Sequence, residues 1–253
     1  MFYNKKTTTI FQQTEYNLKM KQLIKTNNSN SSDLQLSIFR CLDRSICEEI
    51  DRHAVYNNYK KNQAIFLQGN IPFGLYSVRS GRIKNVIVNN DGKESILGII
   101  GPGNIFGQRS LFTDENYNSS AIAIEDTLVC FHEKEYFFSL IKKYPSIALE
   151  LLTQISYEMG ITENNTVNLV HKNARERLAL LLLDLQKSYG KPEGDKIRLD
   201  IKLTREEMAA MIGTTHETLV RLFTEFKNEQ IILQDGKTIF IIDLNKLKIF
   251  SNA

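Results

Sequence analysis

The period of apolar positions changes along the 253 residues, and the changes divide the chain. Residues 1–32 show no period and end in the polar run NNSNSS, a composition that cannot bury enough surface to order itself. This stretch is expected to be a flexible polar extension. A short helical segment is expected over residues 34–53. Between 59 and 131 the pattern becomes short β-rich runs at 64–67, 74–78, 82–88, 95–100 and 121–131. They are separated by Gly69, Ser80 with Gly81, Asp91 with Gly92, and Gly101-Pro102-Gly103. Strands at that spacing predict an antiparallel sandwich or jelly-roll barrel.

Helical periodicity takes over from about 146 to 170. Leu152, Ile155, Met159, Thr162, Thr166 and Leu169 recur at alternating spacings of 3 and 4, a coiled-coil seam. A parallel dimer along this seam is expected, with packing onto the chain's own barrel as the alternative. The dimer also lets two short recognition helices share the work of binding. A leucine-rich helix over 175–188 should fill a C-terminal core. Residues 203–232 then read as two helices joined by a tight turn. Thr204 and Glu207 form a capping box that opens the first, and Gly213 supplies the left-handed residue that ends it. Thr214 with Glu217, or else Thr215, caps the second. Leu219, Leu222, Phe223 and Phe226 make its apolar back, while Glu217, Arg221 and Thr224 fall on the opposite face. Such a helix suits the major groove of DNA. Two β-rich runs at 231–233 and 238–242 flank Asp235 and Gly236, predicting a type I′ hairpin and hence a wing.

Composition narrows the class. At 42% hydrophobic the chain can bury a sizeable core, and a net charge of +3 permits nucleic-acid binding without arguing for it. Three cysteines without a CxxC pair fit a reducing compartment. No apolar run reaches membrane-span length and the first residues lack a signal-peptide core, so a cytoplasmic protein without membrane attachment is expected. No phosphate-cradling P-loop or nucleophile–base pair is present. A metal enzyme of the cupin kind would need clustered ligands, but only His53 and His132 lie in or near the barrel. An enzyme is not expected.

The order of parts resembles one family. The segment YSVRSGRIK at 76–84, the long seam helix, and Glu217-Thr218 followed by Arg221 are similar to the Crp/Fnr superfamily of bacterial transcription regulators. The resemblance covers about residues 38–243. It implies an α+β protein with an N-terminal antiparallel β-roll of the cyclic-nucleotide-binding kind, a long dimerisation helix and a C-terminal winged helix-turn-helix. The corresponding ranges are 33–145, 146–171 and 172–253. It further implies a homodimer on a palindromic double-stranded operator with TGA-type half-sites, and RNA polymerase as a partner. Glu217 matches the glutamate that accepts from cytosine N4, and Arg221 the arginine that donates to guanine. His216 stands where relatives carry either a guanine-reading arginine or an apolar residue. Val220 takes a slot that is small or polar in other members. Thr204, Thr215 and Thr218, with Lys202 and Lys227, match phosphate contacts that position without reading.

The sensor motif departs from the pattern. Members that bind cyclic nucleotides carry Gly-Glu in the phosphate cassette and an arginine about ten residues on. Here the cassette runs Gly107, Gln108, Arg109, Ser110, and Ser119 with Ser120 stands in the arginine region. Gln108 replaces the glutamate and Ser119 the arginine, and losing the cation that pairs a buried phosphate costs several kcal/mol. Arg109 could reach a phosphate, and Thr162 occupies the helix position that meets adenine. An effector other than cyclic AMP is therefore expected, with a cyclic-nucleotide-responsive or haem- and nitric-oxide-responsive member of the family as the alternative. A four-cysteine iron–sulfur cluster is not, because only Cys41, Cys47 and Cys130 exist. Haem stays open through His53, His132, His171 or Met159 as axial ligand. Cys130 is expected to be a core thiol.

Overall fold

The computed structural model describes residues 38–39 and 42–251. The expected extension at 1–32, the first residues of the segment expected to be helical, and Cys41 lie outside them. The first described helix, α1 (Arg44–His53), buries Cys47 and Ile50, and Ile38 and Phe39 join the same core.

Eight strands build the N-terminal half: β1 (Val55–Tyr59), β2 (Ala64–Phe66), β3 (Gly74–Ser80), β4 (Ile83–Val88), β5 (Glu94–Ile100), β6 (Ile105–Phe106), β7 (Ser120–Ala123) and β8 (Thr127–Glu133). They form two antiparallel four-stranded sheets, ordered β1-β8-β3-β6 and β2-β7-β4-β5. Strand β3 shows why they close into a roll. Tyr76 and Val78 point into a core shared with Phe66, Ile83, Phe106 and Val129, whereas Leu75 points outward beneath a helical layer. That layer is α1 together with α3 (Lys134–Lys143) and the start of α4 (Ser146–His171). A short helix, α2 (Gln108–Thr113), interrupts the strands after Gly107.

The run 121–131, read from sequence as one strand, is two. Polar Glu125 and Asp126 break it, and β7 and β8 enter different sheets. The turn between them carries Ile124, whose side chain is buried in the C-terminal core. Helix α3, whose apolar Phe137 and Leu140 pack beneath the roll, was not foreseen.

The C-terminal half contains α5 (Ala174–Tyr189), β9 (Gly190–Glu193), β10 (Lys196–Leu199), α6 (Arg205–Met211), α7 (His216–Asn228), β11 (Ile232–Asp235), β12 (Thr238–Ile241) and α8 (Leu244–Ser251). Asn173 caps α5 through a capping box with Glu176. The wing is larger than expected, a four-stranded sheet ordered β11-β12-β10-β9. Ile197 pairs with Ile241 and Arg198 with Phe240, so a second hairpin props the first. The hairpin type also differs. Asp235 pairs with Thr238, leaving residues 236–237 as the loop, and only Gly236 has positive φ, at 55°. Glycine alone at the first loop position fits type II′; type I′ needs positive φ at both.

The halves meet directly. Ile124 and Ile99 of the roll pack against the C-terminal core. Lys84 Nζ lies 3.1 Å from Glu207 Oε1, with both side chains only 12% exposed. Arg82 stands 4.8 Å over the ring of Tyr189 and pairs with Glu125 at 2.7 Å.

Candidate nucleic-acid interface and sensor pocket

Local chemistry places α6 and α7. Glu207 N donates to Thr204 Oγ1 at 3.1 Å, and Thr204 N donates to Glu207 Oε2 at 2.9 Å, the reciprocal cap expected. Helix α6 stops at Ile212, and Gly213 follows with φ 61°. Of the two possible caps for α7, Thr215 is used: its Oγ1 accepts from Thr218 N at 3.3 Å. Leu219, Leu222, Phe223 and Phe226 are buried beneath α7, and Arg205 stacks on Phe223 at 3.6 Å.

The opposite face is open. His216, Glu217, Val220, Arg221 and Thr224 are exposed, as are Thr204, Thr215, Lys202 and Lys227, while Thr218 is half-buried. The Glu217 carboxyl is held below its ordinary range by its own backbone N–H at the helix start, then by Thr215, then by His216. It is a carboxylate at neutral pH and so a pure acceptor, as pairing with a cytosine amino group requires. Two of the residues expected to read bases are engaged within the protein. Arg221 Nη1 lies 3.1 Å from Glu225 Oε1, one turn on. His216 Nε2 lies 3.3 Å from Glu206 Oε1 on α6, a link that sequence reading did not anticipate.

The cassette residues come only partly together. Gly107 sits in the left-handed region at φ 83° and opens α2. Ser110 is buried, its Oγ donating to Asn116 O at 3.2 Å; Ser119 is buried, and buried Ser120 accepts from Gln68 N at 2.9 Å. Arg109 does not face this group. It is exposed and pairs with Glu115 at 3.2 Å. Thr162 is exposed on α4, its hydroxyl donating to Glu158 O. The residue missed from sequence is Glu158. Its carboxylate accepts from Gln108 Nε2 at 3.1 Å and from Gln154 Nε2 at 2.9 Å. A carboxylate from the long helix thus stands beside Gln108 of the cassette, and like charge disfavours a second anionic group there.

The candidate haem ligands do not converge. His53 stacks on Tyr136 at 4.9 Å, while His171 and Met159 lie at the end and in the middle of α4. His132 is fully buried, edge-on to Phe39, with Nε2 3.3 Å from Cys130 Sγ. Its packing leaves no open face for a macrocycle. The thiols of Cys47 and Cys130 are buried.

The seam positions run along α4 as open surface. Leu152 and Met159 are each 61% exposed, and Ile155, Thr162, Thr166 and Leu169 are also exposed. Leu169 additionally packs at the turn between α6 and α7: a Cβ on Gly213 would come within 3.1 Å of its Cδ2. No described helix is long and apolar enough to cross a membrane.

Comparison with known proteins agrees with this anatomy. Residues 56–144 match the cyclic nucleotide-binding domain and residues 176–250 the Crp-like helix-turn-helix domain. A CRP-like cAMP-activated global transcriptional regulator of Mycobacterium tuberculosis is 28% identical over 210 residues, covering 83% of this chain and 94% of that protein. The transcriptional activator protein anr of Pseudomonas aeruginosa is 31% identical over 185 residues, covering 73% and 75%. Among solved structures, a CooA mutant from Carboxydothermus hydrogenoformans superposes with a TM-score of 0.69 at 27% identity, over 80% of this chain and 90% of that one. The c-di-GMP responsive regulator CLP of Xanthomonas campestris shares the fold, with a TM-score of 0.72 at 20% identity, over 79% and 100%.

Proposed function

The chain belongs to the Crp/Fnr superfamily of transcription regulators, not enzymes, and on that premise we propose how it reads DNA and what it senses. It is a homodimer, paired through Leu152, Ile155, Met159, Thr162, Thr166 and Leu169. The exposed apolar stripe supports this, since a lone chain leaves it in water. The sensor spans 33–145, the dimerisation helix 146–171 and the DNA-binding unit 172–253. The dimer binds a palindromic operator with TGA-type half-sites. Glu217 accepts from a cytosine and Arg221 donates to a guanine, with His216 and Val220 facing the outer bases. Thr204, Thr215 and Thr218 contact phosphates. The observation that carries the reading is the face of α7, polar and open outward over a fully buried apolar back. Bound to DNA in the cytoplasm, the dimer recruits or blocks RNA polymerase according to operator position.

Its effector is not cyclic AMP. The mycobacterial relative is described as cAMP-activated. Here Gln108 and Ser119 replace the charged ligands of such members, and Glu158 adds a negative charge beside Gln108. The effector shifts the paired α4 helices and through them the DNA-binding units.

Fluorescence anisotropy of the purified full chain on a palindromic TGA duplex and a scrambled control, at two salt concentrations, tests the reading. Sequence-specific binding is expected, without additives or on adding an effector found by screening. Binding that stays sequence-blind and salt-sensitive under every addition refutes it.

A further inference from the structure

We propose that Arg177 fixes the half-site spacing this regulator accepts, by joining the end of the long helix to the turn of the helix-turn-helix. The proposal rests on the reading of a dimer on a palindrome.

Between α4 and α5 only Lys172 and Asn173 leave the helical conformation. Lys172 is extended, at φ −105° and ψ 140°, so rotation at this short joint would swing everything after it. Arg177 stands one turn into α5 and spans the joint. Its Nη1 donates to Lys172 O at 2.6 Å, its Nε to Ile212 O at 2.7 Å and its Nη2 to Gly213 O at 3.3 Å. One planar guanidinium therefore holds the joint and the turn before the recognition helix in a single fork. Only arginine has the rigid set of donors for three carbonyls; a lysine ammonium is a point on a flexible stem. The Ile212 and Gly213 carbonyls also mark the negative end of α6, where a cation is favoured.

Neighbouring contacts tighten the joint. The Lys172 ammonium donates to Ser251 O at 2.7 Å, tying the joint to α8 as well. Leu169 packs at Gly213, where a Cβ would come within 3.1 Å of its Cδ2. Helix α7 begins at His216, shortly after the clamped carbonyls. Once two α4 helices are paired, the separation of the two recognition helices is set across this fork. Shifting one half-site by a base pair moves it ~3.4 Å and turns it ~35° about the duplex, since half-sites sit about one turn of 10–10.5 base pairs apart. A joint held by three hydrogen bonds resists that displacement; a free joint absorbs it.

The test uses the full chain as wild type, R177M and R177K. Anisotropy is measured on the best-binding palindrome, on versions with the spacer changed by one and two base pairs, and on a single half-site. Wild type should prefer its own spacer by about tenfold or more, and R177M should cut that to about threefold or less while half-site affinity changes less than about twofold. R177K should fall between. Spacing selectivity unchanged in R177M, with half-site binding intact, overturns the proposal. If R177M loses half-site binding, R177K decides: weakened selectivity with an intact half-site supports the role. Unchanged selectivity, or half-site loss in R177K too, overturns it, leaving Arg177 a folding residue. A wild type indifferent to spacing would refute the dimeric reading itself.

Discussion

Replacing Arg221 by alanine separates reading a base from holding the backbone. Its side chain is 67% exposed and, among the described residues, it pairs with Glu225, four residues on, at 3.1 Å. An exposed pair at that spacing is worth roughly 0.3–0.5 kcal/mol, so the substitution should leave the melting temperature almost unchanged. On the proposed reading the guanidinium would exchange Glu225 for guanine O6 and N7 on the operator, a bidentate contact worth about 1–3 kcal/mol of discrimination. Subtracting the released pair leaves about 0.5–2.5 kcal/mol, or about 2- to 70-fold in affinity. Anisotropy titrations of wild type and R221A on the operator, and on duplexes each altered at one base pair, should therefore find one guanine whose replacement harms wild type and no longer harms the variant. That non-additivity at a single position is the signature of a direct contact. The competing Glu225 makes a second arm: E225Q should tighten wild-type binding by roughly twofold, because it frees the reader beforehand. Equal weakening of R221A on every duplex, scrambled ones included, with the salt slope reduced by about one, would make Arg221 a phosphate contact and refute the assignment.

Other perturbations address the remaining parts. Burial, then the Arg79 cation, lowers the His132 imidazole to about 4 from 6.5, against a smaller opposing effect of Asp51. The depressed folded value means the unfolded chain takes the proton first, so this stability is whole above about 6.5 and falls away toward 4, by up to about 3 kcal/mol. H132F should flatten that acid limb in melting curves recorded from pH 7 to 4, and an unchanged slope would place the acid sensitivity elsewhere. Thr162→Asp puts a charge on the exposed seam and should shift the mass by light scattering toward monomer; an unaltered dimer mass would remove the seam from the interface. Gln108→Glu with Ser119→Arg should not by itself yield calorimetric binding of cyclic AMP, because Glu158 remains 3.1 Å from position 108, whereas adding Glu158→Gln should. Equal heats for the double and triple variants would show that Glu158 is not the obstacle.

What the sequence revealed and what it hid follow one division. The Thr204–Glu207 capping box, the stop at Gly213 and the apolar back of α7 are set by residues within a few positions of each other, so they could be read directly. The seam on α4 was equally plain as a period, although a period does not say which partner covers it. Features that depend on distant pairing were hidden. Strand β9, with Pro192 and charged neighbours, looks like a loop until it is paired along the edge of β10, whose other side is held by β12. Breaking the 121–131 run needs only Glu125 and Asp126, two polar residues in an otherwise β-rich stretch. Glu158 is fifty residues from Gln108, and Arg177 is thirty-five from Ile212, so neither contact leaves a local mark. Arg109, adjacent to the cassette in sequence, turns outward to Glu115 because its place on α2 faces solvent.

Ile124 gives the boundary between sensor and reader a different meaning. A residue from the roll completes the core beneath the recognition helix, and Lys84 seals the same contact against Glu207, the residue that also caps α6. An excised C-terminal fragment would carry a hole where Ile124 sat and a carboxylate without its cation. Chimaeras that join this reader to another relative's sensor should inherit the same defect unless the donor supplies a matching turn and lysine. The interchangeable unit is then the reader together with the edge of its own roll, and a cut drawn at the helical joint would pass through a shared interior.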